Sequence, residues 1–272
     1  MTLVTLLCLG SGCPGESPVR DSGSPDQLWP DRGGDESDLP RTDAPKPGAD
    51  SPASTVVPPL GGSSGGSGGP VASGQAMSAG GVSYLIIVPS SYSASKPSRA
   101  MVVFSGTEGG AQMASNLKSL ASAYSLGDVI FAVLDGVAYN GNGQAGATVL
   151  DDLRKLYNID NDRTYLLSES AGTTAGLQLG LSLRQSYFAA YWVNDLNASA
   201  TPKQNAAALG FAPWGNVGPG GDLADANAVI AAMKAAGYRL PTPAPYDGPG
   251  STQHGSTQQF IAALTFYNGK SR

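Results

Sequence analysis

The sequence predicts an α/β fold, with a mostly parallel sheet, helices on both faces and no large lid. Over residues 76–272, short apolar runs alternate with segments of helical pattern, as strand–helix–strand units require. The runs are continuously apolar, which is typical of strands that are covered on both faces. The segment has the length of one domain of this kind and shows no internal repeat.

Each predicted element rests on an apolar run of strand length or on helical spacing with helix-end signals. Arg154 and Lys155 lie in the last turns of one helix, where the helix dipole favours positive charge, and Gly237 closes another. In chain order the elements are strand Val82–Pro89, strand Ala100–Phe104, helix Met113–Tyr124, strand Asp128–Leu134, helix Ala147–Tyr157, strand Thr164–Leu167, helix Ala171–Gln185, strand Tyr187–Val193, a weak strand Ala206–Ala212, helix Ala224–Ala236 and helix Thr257–Phe266.

Composition excludes several classes of protein. The net charge is −5, so a nucleic-acid binder with a basic face is not expected. The two cysteines, Cys8 and Cys13, leave the rest of the chain without a disulfide or a thiolate metal site. Because the chain has one histidine, no structural zinc is expected either. It has no apolar run of the length that spans a membrane.

Residues 1–13 resemble a secretion signal of the bacterial lipoprotein kind. An apolar run at residues 2–9 is followed by small residues and by Cys13, the position that such a signal acylates. No Lys or Arg precedes the run, and Gly10 stands where this signal usually has Leu. A buried N-terminal strand is the alternative. The signal predicts an extracytoplasmic protein, secreted or held at the bacterial outer surface, whose only link to a membrane is a lipid on Cys13.

Residues 14–75 are predicted to be a disordered linker. They are rich in Pro, Gly, Ser and Asp and include a Gly/Ser tract at residues 61–69. Such a segment has too little apolar surface to offset the entropy that folding removes. A flexible linker of this length would tether the domain that we expect at residues 76–272.

A candidate nucleophile lies between the strand Thr164–Leu167 and the helix that follows it. The sequence there is Ser-Glu-Ser-Ala-Gly, residues 168–172. A strand that turns sharply into a helix needs small residues two positions on either side of the apex, and the apex side chain then projects alone. Ser170 would be that apex, with the N–H of Ala171 aimed at an oxyanion. The alternative is that Ser170 only caps the helix.

His254 is the one histidine in the chain, so any serine–histidine mechanism must use it. It lies in a glycine-rich loop ahead of the final helix and follows Ser170, the chain order of this strand–elbow–helix arrangement. A lone histidine is otherwise most often a packing or surface residue.

The acid of a catalytic triad is less well defined. Its usual place is in the loop after the penultimate strand, here Ala206–Ala212. That place falls on Gly218, so Asp222 is the nearest carboxylate in that loop. We favour Asp222 narrowly, although it is also placed to cap the next helix. Asp195, after the preceding strand, is the alternative acid.

Four segments together resemble the secreted α/β-hydrolase esterases of the polyhydroxybutyrate depolymerase and feruloyl esterase type. They are VSYLIIVPSSY, MVVFSGTEGG, DDLRKLYNIDNDRTYLLSESAG and the terminal His-Gly loop. The resemblance covers most of residues 80–272 and is densest over Asp151–Gly172. The chain departs from the family at Ser105, where the family has His, at Ser168, where it has Gly, and at Gly218, which lacks the acid.

The resemblance implies an α/β-hydrolase fold and a serine esterase. Ser170 would attack an ester carbonyl, His254 would take its proton, and the oxyanion would be held by the N–H of Ala171 and one N–H from Thr107 to Gly109. The implied substrate is a small or polymeric ester, and no cofactor is implied. Acyl length and oligomeric state are left open.

Two other interpretations compete with an esterase. Gly141, Gly143 and Gly146 form a dinucleotide-type G-x-G-x-x-G pattern, but six residues separate it from the preceding strand, so turn glycines are favoured. The second is a degenerate hydrolase fold that binds carbohydrate or protein at the cell surface, for which Tyr139, Trp192 and Trp214 are candidate stacking residues.

Overall fold

A computed structural model describes residues 58–272 of the chain. The predicted signal at residues 1–13, with Cys13, lies outside the described residues, as does the linker up to residue 57. Within residues 58–272, no helix is long and apolar enough to cross a membrane.

Seven strands form one sheet in the order β1-β2-β4-β3-β5-β6-β7. β2 runs antiparallel to both of its neighbours, and the pairs from β4 to β7 are all parallel. The strands are β1 (Ala72–Ala79), β2 (Val82–Val88), β3 (Ser98–Phe104), β4 (Ile130–Leu134), β5 (Ile159–Glu169), β6 (Ala190–Asn194) and β7 (Trp214–Gly218). The predicted mostly parallel sheet is therefore confirmed.

Helices cover both faces of this sheet. They are α1 (Gly110–Leu120), α2 (Gly143–Leu156), α3 (Thr173–Gln178), α4 (Ala206–Leu209), α5 (Leu223–Ala235) and α6 (Thr257–Phe266). Successive residues of β3 point to opposite faces. Val102 packs in the core that contains buried residues of α2, α3 and α5, and Val103 packs in the core that contains those of α1 and α6.

The parallel register brings the carboxyl ends of β3, β5, β6 and β7 to one edge. Phe104 pairs with Ser168, Glu169 pairs with Asn194, and Asn194 pairs with Gly218. The loops that follow these four strands therefore start side by side, where ligands of open α/β sheets bind.

The ordered part begins earlier than the predicted boundary at residue 76. β1 starts at Ala72 and pairs with β2, and Ser64 donates from its backbone N–H to the carbonyl of Ile159 at 2.8 Å. The glycines that predicted disorder allow close approach instead: a Cβ at Gly69 would lie 2.5 Å from Cζ of Tyr157. The predicted linker therefore packs on the domain over residues 58–75.

The weak strand predicted at Ala206–Ala212 is wrong. Residues 206–209 form the short helix α4, whose N-cap Asn205 accepts a hydrogen bond from the N–H of Ala208 at 2.9 Å. Alanine is the best helix former, and a capping Asn before three alanines outweighs a short apolar run. The strand in this region is β7, which begins at Trp214.

Candidate active site

Ser170 lies at a strained turn between β5 and α3. Its φ is 42°, in the left-handed region that residues other than glycine rarely adopt. One turn of 3₁₀ helix, residues 170–172, continues directly into α3. Strain of this kind, costing of order 1–3 kcal/mol, persists only where the surroundings enforce it. The sequence has placed a serine at the apex of a sharp strand–helix elbow.

Close packing around the elbow shows how Ser168 fits at the position where the elbow usually has glycine. The hydroxyl of Ser168 lies 3.1 Å from that of Tyr191 on β6, and a Cβ at Gly176 of α3 would lie 2.5 Å from Cβ of Ser168. The small residue that this approach needs is therefore on the helix, at Gly176. Gly172 is equally tight, because a Cβ there would lie 2.6 Å from the carbonyl oxygen of Ser105.

His254 contacts Ser170 directly. Nε2 of His254 lies 2.9 Å from Oγ of Ser170, a hydrogen-bonding distance. The histidine sits in the loop before α6, and its side chain is 54% exposed. The structure thus brings together the two residues that the sequence predicts as nucleophile and base, 84 positions apart in the chain.

Asp195 is the carboxylate next to His254. It follows β6 with a φ of 48°, another left-handed residue that is not glycine, and its side chain is fully buried. Oδ2 lies 3.9 Å from Nε2 of His254 and accepts a hydrogen bond from the N–H of Gly255 at 2.6 Å. Oδ1 accepts one from Nε2 of Gln259 on α6, also at 2.6 Å.

The structure does not bring Asp222, our favoured acid, to the histidine. Asp222 is exposed and caps α5, accepting a hydrogen bond from the N–H of Asp225 at 3.1 Å, as its alternative role predicts. Among the hydrogen bonds and ion pairs of residues 58–272, none joins Asp222 to His254. Asp195 occupies the position beside His254 instead.

Position 218, where the acid usually lies, has no room for a carboxylate side chain, because neighbouring side chains fill the space beside Gly218. A Cβ at position 218 would lie 2.6 Å from Oδ1 of Asn194 and 2.7 Å from Cδ of Gln259. Gln259 thus occupies the space of a carboxylate after β7 and donates to the carboxylate after β6.

The loop after β3 lies opposite the elbow. Ser105 accepts a hydrogen bond from the N–H of Gly136 at 2.9 Å and donates to the carbonyl of Gly106 at 3.2 Å. The N–H of Gly109 already donates to the carbonyl of Gly106 at 3.3 Å. The N–H of Glu108 is likewise engaged, by its own carboxyl, so Thr107 is the best candidate among the predicted oxyanion donors in this loop.

Two further carboxyl groups lie beside the nucleophile, and the sequence did not reveal them. A Cβ at Gly106 would lie 2.5 Å from Oε2 of Glu108 and 3.2 Å from both Cγ of Glu169 and Cβ of Ser170. Glu108 also accepts a hydrogen bond from the N–H of Gly106 at 2.9 Å. One feature of the sequence could have indicated that Glu169 is buried: it lies directly before the apex, at the end of a strand, where the neighbouring strand covers its side chain.

Burial shifts both acids toward their neutral forms. It raises the pKa of Glu108 to about 7, opposed by backbone hydrogen bonds and assisted by the charges of Asp135 and Asp195. It raises the pKa of Glu169 well above its usual range, and the neighbouring Asp195 raises it further. Negative charge at this site is therefore costly. Within the described residues no group of three or more acidic, His or Cys side chains could hold a metal ion.

The other sequence motifs have places in the fold. Gly143 and Gly146 lie in α2 and pack against neighbouring elements. A Cβ at Gly143 would lie 2.6 Å from Cβ of Gln178, and a Cβ at Gly146 would lie 2.6 Å from Cζ of Phe104. These glycines allow close packing and lie within a helix rather than in a phosphate-binding turn.

The three aromatic candidates for ligand stacking also have partners. The hydroxyl of Tyr139 accepts from the N–H of Ser83 at 2.7 Å. Trp192 is buried and donates to Asn194 at 2.5 Å. Trp214 lies under two cations, with Lys270 Nζ 4.3 Å from its ring centre. These contacts account for the aromatic side chains without a ligand.

Several solved structures with a similar fold are named as esterases. A thermostable esterase matches with a TM-score of 0.51 and 15% identity, over 70% of this chain and 59% of that one. A mutant of the feruloyl esterase module from Clostridium thermocellum, complexed with sinapinate, matches with a TM-score of 0.50 and 12% identity, over 71% and 86%. LpqC, a poly(3-hydroxybutyrate) depolymerase from Bordetella parapertussis, matches with a TM-score of 0.49 and 15% identity, over 70% and 88%.

The first two of these likenesses, with the strand order described above, confirm the α/β-hydrolase fold. No protein-family model and no curated protein matches the sequence.

Proposed function

We propose that the protein is a serine esterase that hydrolyses carboxylic esters, with Ser170 as nucleophile, His254 as base and Asp195 as the acid. The observation that carries the proposal is the 2.9 Å contact between Oγ of Ser170 and Nε2 of His254, at an elbow held with a φ of 42°. A serine at such an apex, paired with an imidazole, is the arrangement of an activated nucleophile.

In the first half of the reaction, Nε2 of His254 takes the proton of Ser170 as Oγ attacks the ester carbonyl. The N–H groups of Ala171 and Thr107 donate to the oxyanion, and one such donor contributes about 2.7–4 kcal/mol to the transition state. The protonated imidazole then gives its proton to the departing alcohol. In the second half, His254 activates a water that cleaves the acyl-enzyme.

Asp195 would act on His254 in two ways. Its negative charge, 3.9 Å from Nε2, stabilises the imidazolium that forms during the reaction. Its hydrogen bond from the N–H of Gly255 also fixes the loop that carries the histidine. The carboxylate faces Nε2, so it does not set the tautomer through Nδ1 as in the common serine triad.

The substrate that suits this site is a soluble, accessible ester, either small or polymeric. The His254 side chain is 54% exposed, so the base lies at the surface, although Ser170 itself is buried. A long acyl chain would need a covered apolar channel. We therefore expect short acyl esters to be preferred.

Hydrolysis of p-nitrophenyl esters by the full chain tests the proposal. We expect turnover of the acetate ester, with kcat/KM falling as the acyl chain lengthens. Ser170→Ala and His254→Ala should each abolish it, whereas Ser119→Ala, on the exposed side of α1, should behave as the parent. Turnover that survives Ser170→Ala would overturn the assignment.

The second candidate is a catalytically degenerate surface module that binds carbohydrate or protein. The observation that favours it is that Asp195 faces the same imidazole nitrogen as Ser170, at 3.9 Å and not at hydrogen-bonding distance. Absence of turnover in a folded parent chain, on every ester tested, would favour this alternative.

We also propose that the protein is exported and held at the outer surface by a lipid on Cys13, with the segment after it as a tether. The support is the apolar run and the small residues before Cys13 in the sequence. Labelling with a fatty-acid analogue in a bacterial host should mark the parent and not Cys13→Ala. Equal labelling of both would contradict the anchor.

A further inference from the structure

Glu169, the residue before the nucleophile, has a buried side chain with a defined set of neighbours. It is 3% exposed, although glutamate is rarely buried without a partner. Strand register pairs it with Asn194 across β5 and β6. Asp195 follows Asn194, and after burial its carboxyl raises the pKa of Glu169 most, through its charge and a side-chain hydrogen bond.

The hydrogen bonds around the two carboxyl groups are unequal. Asp195 accepts from Gly255 and from Gln259, each at 2.6 Å. Oε2 of Glu169 receives no hydrogen bond from any described residue. A buried ionised carboxylate needs donors on its oxygens, and two adjacent buried carboxyls do not both ionise. The negative charge of the pair therefore lies on Asp195, and the proton lies on Glu169.

We propose that Glu169 is a positioning residue: its neutral carboxyl donates a hydrogen bond to Asp195 and so holds the single negative charge of the pair beside His254. The catalytic part of this inference rests on the serine esterase function proposed above. The charge state of the pair does not depend on it.

The groups that face Glu169 from all sides favour this arrangement. Asp195 and Asn194 face it from the end of β6, Glu108 from the loop after β3, and Ser170 follows it in the chain. Burial, then the charge of Asp195, then that of Glu108, raise the pKa of Glu169, and only Asn194 opposes them. His254 lies beyond Asp195. All of the groups that shift this pKa, except Asn194, therefore disfavour a second negative charge on Glu169.

Infrared difference spectra between the parent and its variants, recorded on the full chain without substrate, test the charge state of Glu169. At about pH 8, one unit above the pKa of Glu108, the parent should show the C=O stretching band of a protonated carboxylic acid. Glu169→Gln should remove this band, and Glu108→Gln should keep it as the matched control. A spectrum in which Glu169→Gln removes only carboxylate bands would overturn the proposal.

Ester hydrolysis by two variants then tests the positioning role. Glu169→Gln keeps a neutral N–H donor and should retain kcat within about threefold. Glu169→Leu removes the donor and should lower kcat by about tenfold with KM unchanged. Thermal unfolding shows whether each variant is folded. A folded Glu169→Leu with parental kcat, or an inactive and folded Glu169→Gln, would contradict the role.

The two experiments separate this inference from the proposed function. A parent that shows the acid band yet hydrolyses no ester would overturn the esterase and leave the charge assignment in place. A parent that hydrolyses esters but has an ionised Glu169 would overturn the charge assignment and leave the esterase in place.

Discussion

Oδ2 of Asp195 lies 3.9 Å from Nε2 of His254, the same nitrogen that lies 2.9 Å from Oγ of Ser170. Serine and carboxylate therefore converge on one atom of the imidazole. Both Ser170 and Asp195 hold left-handed backbone conformations, with φ of 42° and 48°. Two such residues meeting at one histidine indicate that the fold uses local strain to build this site.

Removing the charge of Asp195 should slow the reaction. Asp195→Asn keeps the shape and an acceptor for the N–H of Gly255, but it loses the negative charge near the imidazolium, so we expect kcat to fall about 100-fold. Asp222→Asn is the matched control, because Asn caps a helix as well as Asp does. Steady-state hydrolysis of p-nitrophenyl acetate by both variants measures the difference. A larger loss in Asp222→Asn would restore Asp222 as the acid.

Gln259 should affect the reaction through its hydrogen bond to Asp195. It donates to Oδ1 at 2.6 Å and accepts from the N–H of Gly220 at 3.3 Å. Gln259→Leu leaves a buried carboxylate short of a donor, which costs about 1–3 kcal/mol of stability, and should lower kcat about tenfold. Gln258→Leu, at an exposed position of the same helix α6, should have neither effect. Parental kcat in a folded Gln259→Leu would show that the donor is dispensable.

Glu108 should make stability fall as the pH rises. The unfolded chain ionises this carboxyl near 4.5, whereas burial raises its pKa in the fold to about 7. Between these values the folded chain holds a proton that the unfolded chain releases, so the stabilisation present below 4.5 is lost as pH rises through 7. Glu108→Gln should therefore gain melting temperature relative to the parent from about pH 4 to about pH 8. If the melting temperatures of the two proteins differ by the same amount at every pH in this range, the raised pKa of Glu108 is contradicted.

Gly176 should tolerate alanine only when Ser168 is made smaller. A Cβ at position 176 would lie 2.5 Å from Cβ of Ser168, and overpacking of this kind costs about 1–3 kcal/mol. Ser168→Gly opens that space, so the double variant should recover part of the loss. Urea unfolding of both single variants and the double variant gives the coupling energy. Additive effects would show that the two positions do not crowd each other.

The elements that the sequence predicted well are those whose signals are local. Continuous apolar runs identified β2, β3 and β4 to within two residues at their starts and ends, and α6 has the predicted bounds, Thr257–Phe266. Ser256 caps that helix and accepts from the N–H of Gln259. β1 was missed because its run, ASGQAMSA, is rich in small and polar residues and is ordered by pairing with β2.

The site was predictable where a motif carries it and not where distant loops meet. The elbow and the single histidine pointed to Ser170 and His254 from the chain alone. The place of Asp195 beside His254 depends on the sheet register and on Gln259 filling the space beside Gly218, which no local pattern encodes. The buried carboxyl of Glu169 depends likewise on the strand next to it.

Reaction of the full chain with a fluorophosphonate, followed by mass spectrometry of its peptides, tests the central claim most directly. We predict a single adduct, on Ser170, that is absent in Ser170→Ala and forms far more slowly in His254→Ala, because the imidazole activates the hydroxyl. No adduct in a folded chain, or an adduct on another serine, would contradict the account.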